Sequence, residues 1–344
     1  MDRIAYVFPG QGSQSVGMGK ALAESSPATA AILAEADDAL GESISRLAFD
    51  GPAEQLDLTA NAQPALVAVS IAFLAALRER WAEAGIDTPT PAYVAGHSMG
   101  QYSAMVAAGV ISLADAVRLV RERGRQMQAS GQGRSGAMAA IIGLDDSRIP
   151  ELLALGEGHG SVTIANRNSP GQIVISGDRA AVEAAVAGVK DLGARRGILL
   201  PVSVAAHSSL MAEAAEGMAR VLAPIAFAEP TIPLIANADA RPITSAEGAR
   251  GEPRKAGAVR PEPAKAEPPR PEPAVEVRKV ERPQPPPPPP PPAPAAVAGP
   301  KERRPPESRE PEGGTKTLVC TECGTKNLPS EWYCEKCGAE LAPY

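Results

Sequence analysis

The stretch YVAGHSMGQYSA, residues 93–104, decides the fold of the first part of the chain and contains a candidate nucleophile, Ser98. The short apolar run 92–96 predicts a strand, and the residues after the serine predict a helix that ends near Gly109. GHSMG matches the pattern GxSxG, and this strand–turn–helix context is the elbow that lifts a serine hydroxyl out of a sheet. Glycines suit so tight a turn because a Cβ there would clash. An ordinary glycine-rich turn is the alternative.

Strands and helices alternate through the first 250 residues, which favours an α/β fold built around a parallel sheet. RIAYVF, residues 3–8, predicts the first strand, and the following PGQG ends it as a turn. The longest apolar stretch, residues 64–77, has 14 residues. A helix needs about 20 residues to span a bilayer. The stretch therefore predicts a helix buried inside the protein.

The segment of about residues 130–200 has a pattern of its own. AMAAIIG predicts a strand, DSRIPELLAL a helix, SVTIAN and GQIVISG two strands, DRAAVEAAVAGVKDLG a helix and RRGILLPV a last strand. The order βαββαβ is that of the ferredoxin-like unit. We therefore expect a ferredoxin-like subdomain inserted after the Ser98 region, with the chain returning to the first layer from residue 207 onward.

The chain contains three histidines, so the search for a base that could activate Ser98 is short. His97 adjoins the serine, but neighbouring residues on an elbow point apart. His159 lies in the loop GEGHGS and is interpreted as a surface residue. His207, in LPVSVAAHSSLM, precedes a helix and follows the inserted segment, which makes it the best candidate for the base. A helix-capping or buried structural histidine is the alternative.

Residues 251–314 differ abruptly in composition from the residues before them. Of 36 prolines, 21 lie between Gly251 and Glu312, and Pro285–Pro292 is an unbroken run of eight. Such a segment cannot bury enough apolar area to offset its ordering entropy. It predicts a disordered Pro-rich linker, extended as polyproline II where prolines run together, that acts as a semi-rigid spacer. A ligand for a polyproline-binding domain is the alternative.

Charge and the chain's N-terminal residues limit the partners and the compartment. The net charge is −6, and residues 1–250 contain 19 basic and 26 acidic side chains. This excess argues against nucleic acid or an anionic membrane as a partner of that part. MDRIAYVFPGQG does not resemble a secretory signal, and the cysteine pattern suggests no disulfide framework. We therefore expect a soluble, cytoplasmic protein.

Residues 315–344 contain all the cysteines of the chain, in two CxxC pairs within CTECGTKNLPSEWYCEKCG. Two CxxC turns can hold one tetrahedral ion through four thiolates, which predicts a zinc ribbon with structural Zn²⁺. Metal should be what folds so short a segment. A redox CxxC pair and an unmetallated tail are the alternatives. The predicted zinc ligands are Cys320, Cys323, Cys334 and Cys337.

Six segments occur in the order found in malonyl-CoA:acyl carrier protein transacylases, and the sequence resembles that family. They are FPGQGSQ, GHSMGQYSA, RGRQMQ, GAMAAIIGL, NSPGQIVISG and LPVSVAAHSSLM. The resemblance covers residues 4–239. It implies an α/β-hydrolase-like acyltransferase subdomain with an inserted ferredoxin-like subdomain. It also implies malonyl-CoA and acyl carrier protein as partners.

The resemblance implies a role in acyl transfer for each matching residue. Ser98 would attack the thioester of malonyl-CoA, and His207 would accept the serine proton and later return it. The backbone N–H groups of Gln11 and Met99 would hold the oxyanion of the tetrahedral intermediate. The malonyl group would then pass to the phosphopantetheine thiol of acyl carrier protein.

Two further residues are implied to recognise the acyl group. Arg123 would bind the malonyl carboxylate, and a planar fork of donors does match a carboxylate bidentately, as lysine cannot. Asn166 would line the pocket. Met99 and Gln101 stand where leucine and glutamate are usual in the family, so the resemblance fixes the reaction type better than it fixes the preferred acyl group.

One family segment is not found in this sequence. In the family, a main-chain carbonyl from a segment resembling QLxxPVxW orients the base, but here linker-like sequence begins after Thr244. We therefore expect a C-terminally truncated transferase domain of fatty-acid biosynthesis with impaired activity. The alternative is an inactive acyltransferase-like protein that recruits a partner through its zinc ribbon and linker. A simple serine hydrolase is disfavoured by Arg123 and by FPGQGSQ.

The cysteine-rich tail generates a prediction about metal content. The full-length chain should carry one zinc ion, and Cys334→Ser should release most of it because three thiolates leave the tetrahedral site open. Inductively coupled plasma mass spectrometry of the two purified proteins measures the difference. Ser330→Ala, in the same tail, is the matched control. Equal zinc in the Cys334→Ser protein and the wild type would contradict the four-thiolate site.

Overall fold

A computed structural model describes residues 4–131, 135–200, 202, 204–257, 318–319 and 324–327. The chain divides into two units, residues 1–270 and 271–344. The described part of the first unit contains two four-stranded sheets and the helices around them. It is a mixed α/β fold, as the sequence predicts.

The strands of the first unit, in chain order, are β1 (Ala5–Phe8), β2 (Tyr93–Gly96), β3 (Gly136–Ile142), β4 (Val162–Ser169), β5 (Gln172–Asp178), β6 (Arg196–Leu199), β7 (Leu234–Ile235) and β8 (Pro242–Ile243). The helices are α1 (Lys20–Ser25), α2 (Pro27–Leu40), α3 (Ile44–Asp50), α4 (Ala53–Leu56), α5 (Thr59–Glu83), α6 (Gly100–Ala107), α7 (Leu113–Gly131), α8 (Ile149–Ala154), α9 (Arg179–Gly188), α10 (Ala212–Leu222) and α11 (Ala246–Gly257).

The first sheet has the strand order β1-β2-β7-β8. β1, β2 and β7 are parallel, and β8 returns antiparallel to β7. Val94 in β2 is fully buried because helices cover the centre of the sheet. Buried parallel strands have short, continuous apolar sequences, and YVAG is such a sequence, so it could be predicted as a strand.

Helix α5 lies in the centre of the helical layer and contacts α2, α6 and α7. In the part of the chain that the structure describes, it is the one helix long and apolar enough to cross a membrane by length and composition. Of its most apolar window, 67% is buried inside the protein, and its buried side chains include Leu66, Val67 and Ile71. It packs as a core helix, in agreement with the sequence prediction for residues 64–77.

The second sheet is formed by residues between α7 and α10, and all its neighbouring strands are antiparallel. Its strand order is β4-β5-β3-β6, and the chain passes through β3, α8, β4, β5, α9 and β6 in turn. The buried side chains Ile141, Leu152, Ile173 and Ile175 form a core that is separate from the core of the first sheet. The chain therefore builds two packed layers, each with its own apolar interior.

The expectation of a linker from residue 251 is wrong for residues 251–257, which belong to helix α11. Ala249 is fully buried, and Glu252 is 1% exposed. The Glu252 carboxylate accepts a hydrogen bond from the backbone N–H of Ala238 at 2.9 Å. Glycine, proline and charged residues dominate this helix, so composition alone indicates a linker, whereas contacts with distant residues hold the helix. Residues 258–314 of the expected linker lie outside the described residues.

Arg250 joins α11 to the end of α10. Its guanidinium donates to the carbonyl oxygen of Ile225 at 2.6 Å and to those of Leu222 and Ala223 at 3.4 and 3.3 Å. It also lies over the ring of Phe227, 4.9 Å from the ring centre. Leu222 is the last residue of α10, so a cation at this position adds a donor for the carbonyls at and just beyond the end of the helix and complements the negative end of the helix dipole.

In the second unit the structure describes two short strands, β9 (Leu318–Val319) and β10 (Lys326–Asn327), which pair antiparallel. The four predicted zinc ligands, Cys320, Cys323, Cys334 and Cys337, lie outside the described residues. The zinc ribbon therefore stays a prediction from the sequence.

The contacts of Arg250 predict a stabilising role for α11. Arg250→Ala should lower the free energy of unfolding by about 1.5 kcal/mol, since hydrogen bonds that involve a charged group contribute about 1.5–3 kcal/mol. Urea denaturation followed by circular dichroism measures the change. Lys190→Ala, at an exposed position beside the second sheet, is the control and should leave stability unchanged. A loss below about 0.5 kcal/mol, the scale of ordinary surface substitutions, would contradict this role.

Candidate active site

Ser98 lies in the turn between β2 and α6, with a positive φ of 51°. The chain is so close to itself here that side chains are excluded on both sides of the serine. A Cβ on Gly96 would meet the backbone of Gly100 at 2.0 Å, and a Cβ on Gly100 would meet the carbonyl oxygens of Phe8 and Pro9 at 2.6 and 2.5 Å. Both glycines of GHSMG are therefore required, as the elbow interpretation predicts.

His207 lies opposite the serine, although 109 residues separate them in the chain. Its Nε2 is 3.0 Å from Ser98 Oγ, a distance suited to proton transfer. Its own backbone has a positive φ of 59°. The next residue, Ser208, fixes this turn because its hydroxyl donates to the carbonyl oxygen of Ala205 at 2.7 Å and accepts from the N–H of Leu210 at 3.3 Å. The structure brings together the predicted nucleophile and base.

Arg123, on α7, lies on the other side of the serine hydroxyl. Its Nη2 donates to Ser98 Oγ at 3.1 Å, and its Nη1 donates to Gln63 Oε1 at 2.8 Å. Burial lowers the pKa of this guanidinium from its ordinary value. The neighbouring Tyr102 is also buried, and burial raises the pKa of its phenol, so the ring stays neutral. Both described partners of Arg123 are neutral oxygens, so they leave its positive charge available to an anion.

Gln63 is a functional residue that the sequence analysis missed. It is completely buried in α5, where it orients Arg123 through its Oε1. Its Nε2 faces Gln11 Oε1 at 3.4 Å, and Gln11 in turn donates through Nε2 to Thr59 Oγ1 at 3.2 Å. The signal in the sequence was the glutamine that interrupts the apolar run AQPALVAV. A buried amide without a visible partner indicates a polar contact elsewhere in the fold.

A cavity of about 420 Å³ opens at the serine between the two sheets. The first layer contributes Gln11, Ser98 and Arg123, and the inserted segment contributes Asn166 and the apolar side chains of Met138, Leu200 and Val202. The volume is within the range of small-molecule sites. The structure therefore places Asn166 in the pocket wall, where the resemblance puts it.

The side chain of Met99 is fully buried, so its backbone N–H is the group that it can offer to the site. It directly follows the nucleophile at the start of α6, where backbone N–H groups lack partners within the helix. Gln11, in the turn after β1, lies in the cavity wall beside the serine. The two residues expected to supply oxyanion donors thus flank Ser98 from two neighbouring strands.

Among the described residues, no group of three or more histidine, cysteine, aspartate and glutamate side chains could hold a metal ion. The side chains that meet at the Ser98 hydroxyl are a histidine and an arginine. Such a set can form and break an acyl ester, with the arginine positioned to bind an anionic part of the acyl group.

The comparison with known families agrees with this arrangement. The model of the acyl transferase domain family matches residues 5–278. The chain belongs to the acyltransferase family. Its matched region includes the elbow, both sheets and helix α11.

Curated members of the acyltransferase family resemble the chain closely. The malonyl CoA-acyl carrier protein transacylase of Escherichia coli (strain K12) is 47% identical over 250 residues, which cover 73% of this chain and 79% of that protein. The protein of the same name from Bacillus subtilis (strain 168) is 46% identical over 245 residues, which cover 71% of this chain and 75% of that protein.

Solved acyltransferase structures have the same fold. The acyl-carrier-protein-S-malonyltransferase from Bartonella henselae superposes with a TM-score of 0.70 at 44% identity, covering 74% of this chain and 80% of that chain. A malonyl-transacylase in complex with its type II PKS acyl-carrier protein superposes with a TM-score of 0.69 at 42% identity, covering 74% of this chain and 81% of that chain.

Proposed function

We propose that this chain is an acyltransferase that moves a malonyl group from malonyl-CoA to the phosphopantetheine thiol of acyl carrier protein, a reaction of fatty-acid biosynthesis. The observation that carries the proposal is the position of one oxygen atom. Ser98 Oγ lies 3.0 Å from His207 Nε2 and 3.1 Å from Arg123 Nη2. A base and a fixed cation therefore meet at the nucleophile, as transfer of a carboxylated acyl group requires.

The first half-reaction forms a seryl ester. His207 Nε2 takes the proton of Ser98 as Oγ bonds to the thioester carbonyl carbon of malonyl-CoA. The carbonyl π electrons move to oxygen, and the backbone N–H groups of Gln11 and Met99 stabilise this oxyanion. When the carbonyl re-forms, the C–S bond breaks and the coenzyme A sulfur leaves with the proton from His207. The seryl ester holds the acyl group after the coenzyme A thiol has left and before the second thiol attacks, so the reaction follows a ping-pong scheme.

The second half-reaction reverses these steps with a different thiol. The phosphopantetheine thiol gives its proton to His207 and attacks the ester carbonyl. The tetrahedral intermediate collapses with cleavage of the C–O bond to Ser98, whose Oγ recovers the proton from His207. The enzyme returns to its starting state, and the malonyl group is again a thioester.

Arg123 supplies selectivity for the free carboxylate of the malonyl group. Its guanidinium is held by the buried Gln63, so the donors are oriented before substrate arrives. A charge-assisted, bidentate contact forms with malonyl but not with acetyl, which has no carboxylate. The guanidinium next to Ser98 favours this reaction over simple ester hydrolysis, for which a cation at the acyl end has no use.

Finer features of the chain also belong to this proposal. The first layer is α/β-hydrolase-like, which the glycine-bounded elbow supports. The inserted subdomain is ferredoxin-like, which its four antiparallel strands and the order β4-β5-β3-β6 support. The tail is a zinc ribbon that holds structural Zn²⁺ and binds a protein partner. A disordered linker connects this tail to the acyltransferase domain. The enzyme is cytoplasmic. Its activity is reduced relative to family members that contain the QLxxPVxW segment.

Acylation should depend on Ser98 alone. Incubation with malonyl-CoA should add one malonyl group to the wild-type chain and none to Ser98→Ala, because the Ser98 hydroxyl lies 3.0 Å from the base. Intact-protein and peptide mass spectrometry locate the label. Ser103→Ala is the matched control, since Ser103 lies buried on α6, the helix that follows the nucleophile, and its loss should leave labelling unchanged. A malonyl group on any other residue would contradict the assignment.

Arg123 should decide between malonyl and acetyl groups. Loss of a charge-assisted contact costs about 1.5–3 kcal/mol, so Arg123→Ala should lower kcat/KM for malonyl-CoA at least tenfold more than for acetyl-CoA. Arg123→Lys should recover only part of the difference because it lacks the planar fork. Arg125→Ala is the control, since this side chain is 64% exposed. Equal losses with both substrates would reduce Arg123 to a structural role.

A further inference from the structure

The left-handed backbone of Ser98 has a dedicated hydrogen-bond partner. Residues with a Cβ adopt positive φ rarely, so something must favour this conformation over its alternatives. The Ser98 N–H donates to Asn237 Oδ1 at 3.1 Å. Asn237 comes 139 residues later in the chain, in the turn between β7 and β8. A tertiary contact therefore acts directly on the nucleophile's own peptide group.

Two side-chain amides connect this N–H to strand β7. Asn237 Nδ2 donates to Gln101 Oε1 at 2.6 Å, and Gln101 Nε2 donates to the carbonyl oxygen of Ile235 at 3.1 Å. A backbone N–H can only donate and a carbonyl oxygen can only accept. The two backbone groups at the ends therefore determine which way both amides point.

The turn that carries Asn237 is itself fixed. The Ala236 N–H donates to the carbonyl oxygen of Arg241 at 2.9 Å and closes the turn. The Ala238 N–H donates to the Glu252 carboxylate on α11 at 2.9 Å. Gln101 is 3% exposed, so water competes little for its amide. These hydrogen bonds thus hold the turn in place and keep Asn237 next to the Ser98 elbow.

We infer that Asn237 is a positioning residue for the nucleophile and that Gln101 sets the orientation of its amide. The contact stabilises the elbow with Ser98 Oγ between His207 and Arg123. It also occupies the Ser98 N–H, which leaves the N–H of Met99 for the oxyanion. The inference rests on the proposed function, because it explains how the same serine is held for acyl transfer.

A positioning role affects the chemical step and leaves substrate binding intact. In the part of the chain that the structure describes, the residues lining the cavity include neither Asn237 nor Gln101. Asn237→Leu should therefore lower kcat for malonyl transfer about 10- to 100-fold, the effect expected of a small displacement of a reacting group. KM for malonyl-CoA should stay near the wild-type value.

The pair of variants at residue 101 separates orientation from packing. Gln101→Met removes the acceptor for Asn237 Nδ2 and should lower kcat about tenfold. Gln101→Glu keeps an acceptor there but replaces the donor to Ile235 with a second carboxylate oxygen. Glutamate is usual at this position in the family, so the fold accommodates it, and kcat should remain within about fivefold of the wild type. If Gln101→Glu loses as much as Gln101→Met, or if neither loses activity, the inference is overturned.

A second readout keeps this test independent of the proposed function. A fluorophosphonate probe reacts with an activated serine as Oγ displaces fluoride from phosphorus, whatever acyl group the enzyme prefers. The labelling rate at Ser98 should fall in Asn237→Leu and Gln101→Met as kcat does. If the wild type is labelled but transfers no malonyl group, the proposed function fails, and the labelling rates alone decide on Asn237.

Leu152→Ala is the control for stability, because Leu152 is buried in the apolar core of the inserted segment and takes no part in the amide chain. At a temperature where all variants are folded, it should keep wild-type labelling and transfer rates. A loss of labelling in Leu152→Ala equal to that in Asn237→Leu would attribute the effect to general destabilisation and overturn the inference.

Discussion

The carbonyl groups of Phe8 and Pro9 approach the start of α6 so closely that residue 100 can carry no side chain. The same approach brings the N–H of His97 to the carbonyl oxygen of Phe8 at 3.0 Å, which continues the parallel pairing of β1 with β2. This register places the turn after β1 beside the nucleophile. Close packing of backbone against backbone thus aligns the serine, the helix start and the loop that contains Gln11.

Polar side chains on the buried side of Ser98 form a chain of hydrogen bonds that leads to its hydroxyl. Thr59, Gln11, Gln63 and Arg123 follow one another through hydrogen bonds, and the last of them ends at the serine hydroxyl. A cation is costly to bury, and neutral oxygens offset only part of that cost. A carboxylate bound beside Arg123, as the proposed function requires, would offset the remaining cost of burying this positive charge.

Local patterns in the sequence were sufficient to predict the elbow, the base and the parallel sheet. The glycines of GHSMG and the apolar runs beside it determine a strand, a tight turn and a helix without reference to distant residues. They were insufficient for Gln63, Asn237 and α11. Each of these depends on a partner far away in the chain, and each occurs in a sequence that reads as something else, such as a core helix or a linker. The contacts of Glu252 and Arg250 show why composition misjudged the last helix, since bonds to residues outside the segment stabilise a sequence that forms helices poorly by itself.

The apolar pocket wall and the elbow that carries the nucleophile pack in separate apolar clusters. Met138, Leu200 and Val202 line the cavity opposite Ser98 and Arg123, which are anchored in the first layer. The volume of the cavity and the geometry of the reacting groups are therefore set by different residues. A substitution in the wall can change the space open to a substrate while the elbow keeps its backbone contacts.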